Sequence, residues 1–152
     1  MSSTGARSLS AGRPPARLLA SRPVNEVMHR GIVTCPPETP LRTVARMMAT
    51  YRIHALVVDG EREEDDRLRP WVVLSDRDVV GALAAGEIDR ATARSAAGTE
   101  FLTAYPDESL ENAARLLHEH DVAHLVVVDP PTRRPIGILS TLDVAAAIAG
   151  LA

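Results

Sequence analysis

The sequence predicts an α/β chain, of the α+β kind, made of two copies of one small unit in which a sheet packs with helices. Three observations carry this. The chain writes V-L-S-D-R-D-V at 73–79 and I-L-S-T-L-D-V at 138–144: two apolar residues, Ser, two variable residues, Asp and Val. Setting residue n beside n+69 pairs Thr34 with Thr103, Pro37 with Pro106, Leu41 with Leu110, Ala45 with Ala114, Arg46 with Arg115 and Leu56 with Leu125, with no gap. Within both copies the apolar spacing switches from a helical to a strand period at corresponding places.

The elements follow in order. Leu41, Val44, Ala45 and Met48 stand at i, i+3, i+4 and i+7, and Leu110, Ala113, Ala114 and Leu117 repeat the stripe, so each copy opens with an amphipathic helix. The β-rich runs A-L-V-V at 55–58 and L-V-V-V at 125–128 follow, then a polar turn, then W-V-V-L at 71–74 and I-G-I-L at 136–139. These read as adjacent strands. The first turn, G-E-R-E-E-D-D-R-L-R-P, is longer than the second, P-P-T-R-R-P, which shortens the offset to 65; its acids 61–66 read as a solvated hairpin loop. After Ser-x-x-Asp come the apolar stripes Val79, Val80, Leu83 and Val144, Ala145, Ile148, each predicting a second helix. The division drawn from this is a disordered basic tail at 1–22, a first repeat at 23–86, a linker at 87–98 and a second repeat at 99–152.

Composition excludes several function classes. No run approaches the roughly 18 apolar residues of a membrane span, and the N-terminus lacks an apolar signal block, so the chain reads as soluble and cytoplasmic. Cys35 is the single cysteine and reads as a reduced structural residue. All 17 basic residues are Arg; four of them, Arg7, Arg13, Arg17 and Arg22, lie in the tail, leaving 13 against 20 acids. A body of that balance lacks the basic face a nucleic-acid partner needs. In the tail the adjacent pair Leu18 and Leu19 is the obvious apolar anchor. His118, His120 and His124 read as a solvated helix end, with no metal site expected. No Ser-His-Asp grouping, carboxylate pair, P-loop or G-x-G-x-x-G appears, and the chain reads as no enzyme.

Ser-x-x-Asp at the start of a helix has a structural meaning and a chemical one. Ser75 and Ser140 suit N-caps, with Asp78 and Asp143 as the capping-box acids three residues on. The same strand-to-helix turn also gathers free N–H groups, a hydroxyl and a carboxylate around one point, where phosphate and ribose hydroxyls can be met.

Duplication, order and spacing over residues 24–150 together resemble the paired CBS repeats known as a Bateman module, and S-D-R-D-V-V-x-x-L-A-A-G resembles small stand-alone bacterial two-CBS proteins. The resemblance implies two repeats related by a pseudo-twofold, with ligand clefts between them, that sense an adenine nucleotide or adenosyl ligand. ATP, ADP, AMP, S-adenosylmethionine and NAD are the candidates, and no cofactor is required. It assigns ribose to Asp78 and Asp143 and phosphates to Ser75 and Ser140. Base contacts fall to Ile32, Val33, Thr34 in one copy and Phe101, Leu102, Thr103 in the other. Val72 stands where the family usually has the glycine present here as Gly137, which is expected to narrow the first cleft, while Arg77 and His54 are expected to face an anionic phosphate there. A homodimer acting on a regulated partner is implied. The competing expectation is a ligand-free dimerisation or docking module, in which Ser-x-x-Asp is only a cap.

Overall fold

The computed structural model describes residues 15–60 and 71–151. The acidic run 61–66 and the tail arginines Arg7 and Arg13 lie outside the described residues. In chain order the elements are α1 (Ala16–Ser21), a 3-10 turn (Val24–Glu26), β1 (His29–Arg30), β2 (Thr34–Cys35), α2 (Leu41–Tyr51), β3 (Ala55–Val58), β4 (Val72–Ser75), α3 (Asp76–Ala84), α4 (Ala93–Ala96), β5 (Leu102–Ala104), α5 (Leu110–Glu119), β6 (His124–Val128), β7 (Pro135–Ser140) and α6 (Thr141–Ile148).

The predicted stripes become the buried faces of α2 and α5: Leu41, Val44 and Met48 in one, Leu110, Ala113 and Leu117 in the other. Arg52, in the left-handed conformation at φ 54°, ends α2 and lets the chain turn into β3. The run at 55–58 is buried at every position, as a strand covered on both faces should be.

Two compact units result: Ile32–Glu100, here the continuous unit, and Met1–Gly31 together with Phe101–Ala152, here the split unit. The continuous unit has a three-stranded sheet in the order β2-β3-β4, with β2 parallel and β4 antiparallel to β3. Its core gathers Cys35, Leu41, Val44, Met48, Leu56, Val58, Leu74, Ala82 and Ala93. The split unit has a four-stranded sheet in the order β1-β7-β6-β5, and its core adds Val24, Val27 and Met28 to residues from 104–147.

The compact units therefore cut the chain differently from the contiguous division 23–86 and 99–152. Residues 23–31 build the split unit, and 87–100 build the continuous one. The backbone bonds that do this come in matched pairs 69 residues apart. Val24 N donates to Glu108 O (2.8 Å) as Ala93 N does to Thr39 O (2.8 Å), and Asn25 N to Pro106 O (3.0 Å) as Arg94 N does to Pro37 O (3.0 Å). Leu110 N donates to Arg22 O (2.7 Å) as Leu41 N does to Ala91 O (3.1 Å). The stretch 87–98 is accordingly no spacer, since it holds α4 and the fully buried Ala93.

The 1–22 segment also needs correction over its described part. Residues 16–21 form α1, and Leu19 packs against the split-unit core while Leu18 stays 55% exposed. The six residues A-R-L-L-A-S are mostly good helix formers, a signal diluted when composition is averaged over 22 positions. No helix among the described residues is long and apolar enough to cross a membrane.

The stripes on the second helices turn out differently from those on the first. In α3 only Ala82 is buried, with Val80 66% and Leu83 69% exposed; in α6 Leu142 is 73% and Ile148 58% exposed.

Candidate functional site

Each Ser-x-x-Asp lies where a strand runs directly into a helix. In the continuous unit Ser75 ends β4 and caps α3, in extended backbone at φ −110°. Asp78, one turn in, accepts from Ser75 N at 2.9 Å through Oδ2, closing the capping box. In the split unit Asp143 Oδ2 accepts from Ser140 N at 2.8 Å, and Ser140 Oγ accepts from Asp143 N at 3.1 Å. The structural meaning of the motif is thus realised in both copies. In each Asp it is Oδ2 that the cap holds, and Oδ1 takes no part in the capping box.

Strand register brings the predicted base-contacting segments to the same end of each sheet. Thr34 pairs with Val57 in parallel, so Ile32, two residues earlier, is level with Ala55, whose antiparallel partner is Ser75. Leu102 pairs with Leu125, so Phe101 is level with His124, whose partner is Ser140. Ile32, Val33, Phe101 and Leu102 are half-buried, whereas Thr34 and Thr103 are exposed. Each unit therefore presents, at one sheet end, a capped helix start and an apolar segment on the two strands that flank its β3 or β6 strand.

His54 and Arg77 are placed apart in role. His54 Nδ1 lies 3.0 Å from Asp76 Oδ2, so its ring already faces a carboxylate and not an open anion site. Arg77 is exposed on the first turn of α3.

Two residues escaped sequence reasoning. Thr99 Oγ1 donates to Asp78 Oδ2 at 2.7 Å and stands 2.6 Å from Ser75 Oγ, tying Ser, Asp and Thr into one cluster. His29 Nε2 lies 3.5 Å from Asp143 Oδ1. Both come from the exchanged segments, 23–31 and 87–100, whose packing no local pattern in the sequence signals.

Gly137 also has a reason other than ligand approach. A Cβ built there would stand 2.6 Å from Met28 Sδ and 2.7 Å from His29 O, because β1 lies against it with Arg30 in register. Among the described residues the sheet of the continuous unit ends at β4, and no strand like β1 lies beside Val72. The Gly-to-Val difference thus follows from which sheet carries a fourth strand.

Cys35 is buried, and burial pushes its thiol pKa up, away from the reactive thiolate.

The sequence matches the CBS domain twice, at residues 24–91 and 93–150. The chain belongs to the CBS domain family. Among solved structures it is similar to the CBS domain pair of protein MJ0100 in complex with 5′-methylthioadenosine and S-adenosyl-L-methionine (20% identity, TM-score 0.70, 85% of this chain and 97% of that one). It is also similar to the CBS domain protein PAE2072 from Pyrobaculum aerophilum complexed with AMP (24% identity, TM-score 0.68, 84% and 98%). A third is Hypoxic Response Protein I with two coordinated zinc ions (28% identity, TM-score 0.62, 82% and 97%). No curated protein matches the sequence. Both repeats and the mixed α+β architecture of two small sheets packed with helices are those of a CBS pair.

Proposed function

We propose that this CBS pair is a non-catalytic regulatory module that binds an adenine nucleotide or adenosyl ligand at the Ser-x-x-Asp ends of its two sheets. The observation that carries the reading is the convergence, in both units, of a capped helix start and an apolar segment at the same sheet end. A cap alone gives no reason for the second feature. In this reading Oδ1 of the motif Asp, Asp78 or Asp143, is the acceptor for vicinal ribose hydroxyls, while the motif Ser, Ser75 or Ser140, and the helix-start amides face phosphate. Ile32, Val33, Thr34 and Phe101, Leu102, Thr103 border the base. Adenosyl ligands in the structures of similar CBS pairs support the ligand class. Ligand that binds one arrangement of the protein more tightly shifts the population toward it, and a regulated partner reads the change.

A thermal-shift panel of ATP, ADP, AMP, S-adenosylmethionine and NAD tests this. A ligand at a hundred times its dissociation constant is expected to add about 2.7 kcal/mol of stability. The 2′-deoxy analogue of the responding ligand is expected to bind about tenfold more weakly, since an Asp left without its hydroxyl partner keeps its desolvation cost. A flat response to all five compounds would leave the ligand-free docking module standing.

Assembly as a homodimer belongs to the same reading. Val80 and Leu83 on α3, and Leu142 and Ile148 on α6, are apolar side chains that the described chain leaves exposed, Leu83 and Ile148 at matched positions. Light scattering is expected to give twice the 16.3 kDa chain mass, falling to the single-chain value in Leu83→Glu/Ile148→Glu. A monomer at micromolar concentration in the unsubstituted chain counts against it.

A further inference from the structure

We propose that the two Ser-x-x-Asp ends are unequal and that His29 makes them so: the chain binds one nucleoside ligand, at Asp78, because His29 covers the corresponding oxygen of Asp143. The proposal rests on the nucleotide reading above and specifies which site is occupied.

His29 and Gly98 are counterparts 69 residues apart, and each borders the Oδ1 atom of its unit's motif Asp. In the split unit His29 Nε2 stands 3.5 Å from Asp143 Oδ1, and the Asp143 side chain is only 9% exposed. In the continuous unit a Cβ at Gly98 would lie 3.7 Å from Asp78 Oδ1, yet the glycine has none, and Asp78 is half-buried. The missing side chain leaves open the approach that the imidazole fills in the other unit. Thr99 strengthens the contrast, because its hydroxyl bonds to Oδ2 of Asp78 and so leaves Oδ1 to the ligand. A ribose hydroxyl arriving at Asp143 has to displace the imidazole from a nearly buried carboxylate, and it replaces a contact already made. At Asp78 it gains a new one. Backbone pairing of His29 with Ile138 places the residue beside the site without using the side chain, which is itself 84% exposed. It can therefore be removed without emptying the core.

Isothermal titration of the full chain with AMP, and separately with S-adenosylmethionine, tests this. The expected stoichiometry is one per chain, lost in Asp78→Asn. His29→Ala is expected to add a second equivalent, tightening binding at Asp143 by at least about tenfold, the factor equal to 1.4 kcal/mol. His29→Ala/Asp143→Asn is expected to return to one. His29→Gln keeps a side chain of similar reach and is expected to stay at one, which separates loss of the cover from any loosening of β1. Two equal equivalents in the unsubstituted chain, or a single equivalent in His29→Ala, overturns the proposal. Binding of neither compound by any variant is a different result, and it overturns the nucleotide reading itself.

Discussion

Gly137→Val is expected to lower the unfolding free energy by about 3 kcal/mol, the upper part of the range for forcing atoms into a packed region. The new Cβ would stand 2.6 Å from Met28 Sδ and 2.7 Å from His29 O. The sulfur belongs to a flexible side chain and can swing away. The carbonyl cannot, because β1 is fixed to β7 by the pairings His29 with Ile138 and Arg30 with Gly137. Relief thus requires β1 to peel from the sheet, which loosens the buried Met28 as well. The reverse change in the matched position, Val72→Gly, removes only a half-buried side chain packed on its own core and is expected to cost about 1 to 2 kcal/mol. Urea denaturation of the two variants checks both numbers. A Gly137→Val midpoint equal to that of the unsubstituted chain would mean that β1 does not lie beside residue 137.

The same glycine illustrates what the sequence left open. Duplication, the helical stripes of α2 and α5, and the strand runs near 55, 72, 125 and 136 were all legible, because each depends on residues close together in the chain. The Ser-x-x-Asp turns were legible for the same reason, as caps and as places where polar groups collect. The exchange of residues 23–31 and 87–100 was not. An internal offset of 69 is satisfied equally by a leading segment that packs on its own repeat and by one that packs on the other, since both arrangements pair the same residues in sequence. Misplacing those segments hid Thr99 from Asp78 and His29 from Asp143, and it gave Gly137 a ligand where the structure has a strand. The stripes of α3 and α6 failed in another way: periodicity locates an apolar face but does not say which surface covers it, and Val80 and Leu83 are left exposed. His54 faces Asp76 at 3.0 Å across 22 positions of sequence, a pairing that no local pattern signals.

A chain beginning at residue 32 is expected to lose the fold of the split unit while keeping every buried residue of the continuous one. The deletion removes Val24, Val27 and Met28, which are 0%, 5% and 9% exposed, together with β1. Burial of an apolar side chain of this size contributes about 1.5 to 3 kcal/mol, so three of them are comparable to the lower half of the roughly 5 to 15 kcal/mol by which a domain is ordinarily stable. The deletion also strips the outer edge of β7, leaving unpaired backbone groups beside an opened core. Hydrogen exchange resolves where the damage falls. Exchange of segments is expected to deprotect the amides of β5, β6 and β7 at 102–140, far from the cut in sequence, and a peptide spanning 15–31 added in trans is expected to restore them. A chain folded as contiguous repeats would instead lose protection at 34–75, next to the new terminus. Protection lost there, with β6 and β7 intact, would overturn the assignment of residues 23–31 to the split unit, and with it the placement of His29 over Asp143.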